Sequence, residues 1–178
     1  MNPAPMTCTK FGMNLARARN FMRTLAQSPP AMEAYRAAER SLAKSRLTAG
    51  EREQIALAVA EINDSKYCLA AHTASGKGAG LSPEDIRLAR KAVAIDPRAD
   101  AMLRFTQAIV LQRGDLGDED LRALRLAGIS EPEMVEIVAT IAHNIFANYL
   151  SLVSRIEADF PLLHPEPNHA AAAGALCS

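Results

Sequence analysis

The sequence predicts an all-α protein, and three observations support this fold class. No segment alternates apolar and polar side chains over more than a few residues, as a half-buried strand would. Aromatic residues make up only 4% of the chain, so the core must consist mainly of small and aliphatic side chains, which favours closely packed helices. Helix-start signals recur, because a capping residue stands one or two positions before a proline at Ser28, Ser82, Asp96 and Ser130.

The N-terminal part is predicted to contain an arm and two helices. Residues 1–10 are expected to form a flexible arm, and residues 11–26 a first helix with Leu15, Met22 and Leu25 turned inward. The second helix, over 29–45, begins at the serine cap and the prolines that follow it. Tyr35 in this helix is expected to pack half-buried or to line a substrate pocket.

Two helices joined by a tight turn are predicted at the centre of the chain, over 48–63 and 65–79. Thr48 and the glutamate three residues later have the spacing of a capping box. Residues 55–60 are apolar all round, so this part of the helix should be buried. Asp64 is predicted to cap the second helix, and three closely spaced glycines to end it. We therefore expect a central antiparallel helix hairpin.

Four further helices are predicted after the hairpin. Their expected ranges are 82–94, 96–113, 118–127 and 130–159, the last of them ended by Pro161. Residues 11–162 would then form a single all-α domain, with the motif-bearing core at 48–112. Residues 163–178 are rich in Pro and Ala and are predicted to be a disordered tail.

Composition excludes several classes of function. The chain of 178 residues has 20 basic and 20 acidic side chains, so it lacks the basic excess of a nucleic-acid binder. No window approaches the roughly 18 consecutive apolar residues of a membrane span, and the N-terminus lacks the apolar run of a secretory signal. The three cysteines, Cys8, Cys68 and Cys177, are far apart and odd in number. This usage indicates the reducing cytoplasm rather than a disulfide framework.

Four residues of the hairpin suggest thiol chemistry. Cys68 and His72 are four residues apart and share a helix face, with Ser65 three residues before the cysteine. A thiol in the first turn of a helix and near an imidazole is expected to have a lowered pKa, and the thiolate is the nucleophile. Glu53 is predicted to point inward from the other helix, where its carboxylate needs a partner. We expect these four side chains to line one pocket with Cys68 at its floor.

Other interpretations of these residues remain open. A cysteine alone is often a small buried apolar residue, and a histidine alone often a hydrogen-bonded core residue. Zinc binding is a further alternative for the Cys-His pair, but it requires about three or four ligands. His143 lies on a distant helix, and His164 and His169 lie in the tail. We therefore expect no metal at this site.

The order Glu53, Ser65, Cys68, His72 resembles the motif of alkyl hydroperoxidase D-like proteins within the carboxymuconolactone decarboxylase family. That motif is Glu, eleven residues, Cys-x-x-Cys, three residues and His, and here Ser65 replaces the first cysteine. The phrases DSKYCLAAHTASGKGAG and TIAHNIFANYL also look like the family's phrasing. The resemblance covers roughly residues 29–160.

The resemblance implies a thiol-dependent peroxidase that uses no metal, haem or flavin. Cys68 would attack a hydroperoxide, and His72 and Glu53 would form a proton relay. Ser65 cannot resolve the resulting sulfenic acid, so an external thiol, or Cys8 or Cys177, would have to do so. Members of the family commonly associate as trimers or hexamers. We accordingly expect a homo-oligomer, an expectation also based on the apolar residues 55–60.

Two alternatives for the function follow from the same residues. In the first, the chain is a decarboxylase or lactone-handling enzyme, in which His72 and Glu53 do acid–base work and the thiol is incidental. In the second, the replacement by Ser65 marks a redox sensor that is oxidised once and does not turn over. Loss of activity after alkylation of Cys68 would separate the peroxidase from the acid–base enzyme.

Overall fold

The computed structural model describes residues 20–158 and residue 161, and all regular secondary structure in this part of the chain is helical. The predictions for the arm, the tail, Cys8, Cys177 and residues 11–19 lie outside the described residues. The eight helices are α1 (Asn20–Leu25), α2 (Pro29–Leu42), α3 (Ala49–Ile62), α4 (Lys66–Gly78), α5 (Pro83–Arg90), α6 (Pro97–Gln112), α7 (Asp118–Leu126) and α8 (Glu131–Val153). The predicted all-α fold class is confirmed. None of these described helices is long and apolar enough to cross a membrane.

Side-chain caps begin most of the helices at the predicted places. Thr48 accepts a hydrogen bond from the backbone N–H of Glu51, whose carboxylate accepts from the backbone N–H of Thr48 at 2.7 Å. Ser82 and Asp85 make the same reciprocal pair before α5. Asp96 accepts from the Ala99 N–H at 2.8 Å at the start of α6. Each cap satisfies N–H groups that have no partner inside their own helix.

The turn between α3 and α4 differs from the prediction that Asp64 caps α4. The Ser65 N–H bonds the Ala60 carbonyl and the Asp64 N–H bonds the Glu61 carbonyl, which is the Schellman pattern that ends a helix. Asp64 therefore takes the left-handed position of this motif, with φ 53°, and belongs to the end of α3. Ser65 is the residue at the N-cap position of α4.

A second Schellman motif ends α8 earlier than the predicted residue 159. Arg155 adopts a left-handed φ of 47°, and the Ile156 N–H bonds the Ser151 carbonyl. Ile156 then packs against the core. Helix α8 ends at Val153 because the chain turns back at this point, which lets Ile156 pack against the core. Pro161 therefore does not end the helix, contrary to the prediction.

Helix α3 is the centre of the fold. It packs against α4, α5, α6 and α8, and residues 54–61 are all buried. Glu53 near the start of α3 lies beside His72 and Gly76 in the later part of α4, so the two helices run antiparallel as predicted. The apolar residues 55–60 are covered within one chain, so they give no support to the expected homo-oligomer.

The fold buries a charged pair that the sequence did not predict. Glu61 near the end of α3 is only 2% exposed. The Arg90 guanidinium on α5 contacts its carboxylate at 2.8 Å, so the charge is neutralised where α3 and α5 meet. Arg98 on α6 likewise bridges Glu51 and Glu133 and connects three helix starts.

Candidate active site

A cavity of about 360 Å³ opens between α1, α2, α4 and the side of α3, and α8 closes one wall. Apolar and aromatic side chains form much of its surface, and charged groups occur on α2, α3 and α4. The lining residues are Phe21, Met22, Tyr35, Arg36, Glu39, Glu53, Tyr67, Cys68, Ala71, His72, Ser75 and Ala147. Three of the four residues predicted for the site thus meet at one cavity.

His72 and Glu53 form a direct pair across the hairpin. The Nδ1 atom of His72 lies 2.9 Å from the Glu53 carboxylate, and both side chains are about three-quarters covered. If Nδ1 carries the proton and donates it to the carboxylate, Nε2 is left as the acceptor nitrogen of a ring that lines the cavity.

Cys68 lies in the first turn of α4 and is 4% exposed. Burial raises the pKa of its thiol above the ordinary value, and hydrogen bonds from Ser65 and Ser151 oppose this rise without cancelling it. The prediction of a lowered pKa is therefore wrong. The loss of hydration outweighs the helix dipole, and the thiol has no hydrogen bond to His72 in the described part of the chain.

Ser65 does not line the cavity, contrary to the prediction. Its side chain is fully buried behind Cys68, where its Oγ lies 2.9 Å from the Oγ of Ser151 on α8. It makes no side-chain cap for α4. The cause is the Schellman turn, which places residue 65 against α8 instead of in the open end of the hairpin.

An aromatic wall faces the thiol across the cavity. The ring of Phe21 lies 5.4 Å from that of Tyr35 and 6.2 Å from that of Tyr67. Burial raises the pKa of Tyr35, helped by the charges of Glu39 and Cys68, so its hydroxyl stays protonated. His143 stacks behind Tyr35 at 4.4 Å, and burial together with the charge of His72 lowers the pKa of its imidazole.

Several contributors to the site were missing from the predicted set. Tyr35 was expected to pack half-buried or to line a pocket, and it lines the cavity. Arg36 is the next residue, on the exposed side of the predicted helix, and it lines the cavity as well. Ser151 was not considered, and it accepts the hydrogen bond of the Cys68 thiol at 3.7 Å. No local signal points to this residue, because the contact joins positions 83 residues apart.

The arrangement supplies a thiol, a base held by a carboxylate and an apolar wall within one cavity. This combination suits attack of a sulfur nucleophile on a small organic molecule, with a proton moved by His72. Within the described residues, no three His, Cys, Asp or Glu side chains gather as metal ligands would.

A family model identifies the same region. The model of the carboxymuconolactone decarboxylase family matches residues 26–110, which include Glu53, Ser65, Cys68 and His72 and end before α8. No curated protein matches the chain.

Solved structures with the same fold cover most of the chain. An alkylhydroperoxidase AhpD core, an uncharacterised peroxidase-related protein from Ralstonia eutropha JMP134, is 26% identical with a TM-score of 0.73, over 85% of this chain and 80% of that one. An uncharacterised peroxidase-related protein from Silicibacter sp. TM1040 is 23% identical with a TM-score of 0.72, over 84% and 78%.

A third structure with this fold is the debrominase Bmp8 in complex with 2,3,4-tribromopyrrole. It is 18% identical with a TM-score of 0.72, over 89% of this chain and 93% of that one. The helical architecture therefore occurs in proteins described in different chemical terms. The matched region and the fold lead to one conclusion: residues 26–110 match the carboxymuconolactone decarboxylase family, and the chain has the alkyl hydroperoxidase D-like fold.

Proposed function

We propose that this protein is a thiol-dependent peroxidase that reduces organic hydroperoxides at Cys68. The observation that carries the proposal is the shared cavity, which is lined both by a cysteine thiol and by an imidazole held 2.9 Å from a carboxylate. The likeness to peroxidase-related structures supports the same activity.

The proposed reaction begins with removal of the thiol proton. Because burial raises the pKa of Cys68, most of the sulfur is protonated at neutral pH, and the proton must leave as the substrate is attacked. The Nε2 atom of His72 accepts this proton, directly or through a water, while Glu53 stabilises the imidazolium. The proton then moves to the oxygen that leaves the peroxide.

The bond changes in this step balance. The Cys68 sulfur attacks the terminal oxygen of the hydroperoxide, so a sulfur–oxygen bond forms and the oxygen–oxygen bond breaks. The sulfur is oxidised by two electrons to sulfenic acid, and the hydroperoxide is reduced to an alcohol. Two equivalents of an external thiol then complete the cycle: the first forms a mixed disulfide and releases water, and the second releases the Cys68 thiol and a disulfide.

The external thiol is necessary because Ser65 stands where the family motif has its first cysteine. A hydroxyl cannot displace water from a sulfenic acid as a thiol does. Cys8 and Cys177 remain alternatives as resolving thiols. We place the protein in the cytoplasm, where small thiols are abundant.

The walls of the cavity favour a substrate with a hydrocarbon or aryl body over hydrogen peroxide. Phe21, Tyr35 and Tyr67 line the cavity. They are three of only eight Phe and Tyr residues in the chain, which has five Phe and three Tyr. Aromatic rings contribute dispersion and apolar contact to a ligand of this kind. Hydrogen peroxide has no group that would use these contacts.

We also propose that the protein is a homo-oligomer, assembled through an exposed apolar stripe on α8. The stripe consists of exposed side chains at successive spacings of three, eight, three and four positions on the outer face of the helix: Val135, Val138, Phe146, Tyr149 and Val153. Phe146 in this stripe lies 6.0 Å from the ring of Tyr35, so the interface would adjoin the cavity.

Steady-state consumption of cumene hydroperoxide with a dithiol reductant tests the proposed activity. Cys68→Ser should abolish turnover, and Glu53→Gln should lower it about tenfold or more, because a positioned base contributes roughly 10²–10⁴-fold to such a step. Glu39→Gln is the matched control, since this residue lines the same cavity but is on α2. Turnover that survives Cys68→Ser would contradict the proposal, and a wild-type chain that consumes no hydroperoxide would favour the acid–base alternative.

A further inference from the structure

Three buried side chains form a polar cluster on the side of Cys68 that faces away from the cavity. The thiol donates to the Ser151 Oγ at 3.7 Å, and the Oγ atoms of Ser65 and Ser151 are 2.9 Å apart. Ser65 is fully buried, and Cys68 and Ser151 are 4% and 5% exposed. Hydroxyl groups in such a dry place need partners, and here they find them in one another and in the sulfur.

The protons in this cluster can be counted. The Ser151 hydroxyl donates to the carbonyl of Asn148 at 2.8 Å, which leaves its oxygen to accept from Ser65 and from the thiol. When Cys68 ionises, the thiolate loses its own donor and becomes an acceptor. The Ser151 hydroxyl then needs only to rotate about its C–O bond to donate to the sulfur. The Asn148 carbonyl loses little, because it is also part of the α8 hydrogen-bond ladder.

The geometry points to Ser151 as the residue that holds the Cys68 sulfur in place and donates a hydrogen bond to its thiolate, with Ser65 as the second hydroxyl of the pair. This inference rests on the proposed function, in which the thiolate is the reacting form. It assigns a role to a residue outside the family-matched region 26–110. It also gives Ser65 a use that differs from that of a resolving cysteine.

A donor at this place matters because the rest of the environment opposes ionisation. The back of the thiol is packed in the core, so water cannot solvate the thiolate from this side. Hydrogen bonds to a charged acceptor stabilise more than hydrogen bonds between neutral groups. Loss of the Ser151 hydroxyl should therefore shift the ionisation of Cys68 upward by about one pH unit or more.

The test is the pH dependence of iodoacetamide alkylation in the full chain, followed by mass spectrometry of the peptide that contains Cys68. Because each cysteine-containing peptide is measured separately, alkylation of Cys68 is distinguished from alkylation of Cys8 and Cys177. We expect the midpoint for Ser151→Ala to move upward, with alkylation at neutral pH slowed about tenfold. Ser151→Thr keeps a hydroxyl and should stay close to the wild-type midpoint. Ser154→Ala, a change at an exposed serine beyond the end of α8, is the control and should have no effect.

The proposal is overturned if Ser151→Ala has the wild-type midpoint, or if Ser151→Thr shifts as far as Ser151→Ala. Circular dichroism verifies that each variant is folded. If Ser151→Ala does not fold, Ser65→Ala is measured in its place. We expect a smaller upward shift of the Cys68 midpoint in this variant. An unchanged midpoint would contradict the role of the Ser65–Ser151 hydroxyl pair. Alkylation needs no peroxide, so this result is independent of whether the chain reduces hydroperoxides.

Discussion

The thiol of Cys68 has two different environments. On one side it borders a cavity that contains the His72–Glu53 pair, and on the other it meets the buried hydroxyls of Ser65 and Ser151. In the proposed reaction, substrate and base approach from the cavity, while hydrogen-bond donors reach the sulfur from the core. This division would let a thiol with a raised pKa react, since attack and proton transfer would occur on the side where the base is.

His143 should make the stability of the protein sensitive to acid. Burial first, and then the charge of His72, lowers the pKa of its ring in the folded chain. The unfolded chain therefore binds this proton more readily, and stability falls as the pH drops below about 6.5 towards the folded-state pKa. His143→Phe, which keeps an aromatic ring beside Tyr35, should reduce this loss.

The measurement is the urea midpoint of both proteins at about pH 7.5 and pH 5.5, on either side of the free imidazole pKa. The difference between the two midpoints should be smaller in the His143→Phe variant than in the wild type. An equal difference in both proteins would assign the acid sensitivity to other groups.

At the scale of elements, the α3–α4 hairpin depends on one left-handed residue. Asp64, with φ 53°, is the single residue between Asn63, the C-cap of α3, and Ser65, the N-cap of α4. Its conformation lets α4 fold back along α3, and this return brings His72 to Glu53. A non-glycine residue tolerates this region poorly, and β-branched side chains tolerate it least.

Substitutions at Asp64 should therefore separate glycine from a β-branched residue. Asp64→Val should lower the free energy of unfolding by about 1–2 kcal/mol, the cost of a left-handed backbone for such a side chain. Asp64→Gly should be neutral or stabilising. Urea denaturation of both variants measures the effect, with Asp115→Val, in an exposed turn without a positive φ, as the control. Equal stability of the Val and Gly variants would refute this role for the turn.

The elements that were predicted correctly are those with local signals. The capping box at Thr48 and the apolar run 55–60 were enough to identify the buried helix, and the nineteen-residue separation of Glu53 and His72 fits a hairpin. The N-cap of α4 and the end of α8 were misplaced because the left-handed residues at these two turns, Asp64 and Arg155, are not glycines. The Ser151 contact and the burial of Cys68 depend on how distant helices pack, and no local pattern encodes them.

At the scale of the whole molecule, the α8 apolar stripe remains to be covered. Tyr149 and Val153 are 55% and 84% exposed, and a monomer would leave this face in water. We expect sedimentation velocity at micromolar concentration to show species larger than the 19.1 kDa chain. Tyr149→Lys should shift the distribution towards monomer, because burying an unpaired ammonium at an interface is costly.

Leu126→Lys provides the matched control for this experiment. Leu126 is 79% exposed, but it lies on α7 and outside the stripe. It should leave the distribution as in the wild type. A wild-type chain that sediments as a monomer, or equal effects of the two substitutions, would contradict assembly through α8.

The central claim is that the Cys68 sulfur takes an oxygen atom from a hydroperoxide, and a single-turnover experiment tests it most directly. Reduced protein is mixed with equimolar cumene hydroperoxide, without added thiol, and the alcohol product and the mass of the Cys68 peptide are followed together after trapping with dimedone. We predict one alcohol formed for each Cys68 trapped as sulfenic acid, and neither product with Cys68→Ser. Alcohol formed while Cys68 stays reduced, or no reaction at all, would contradict the claim.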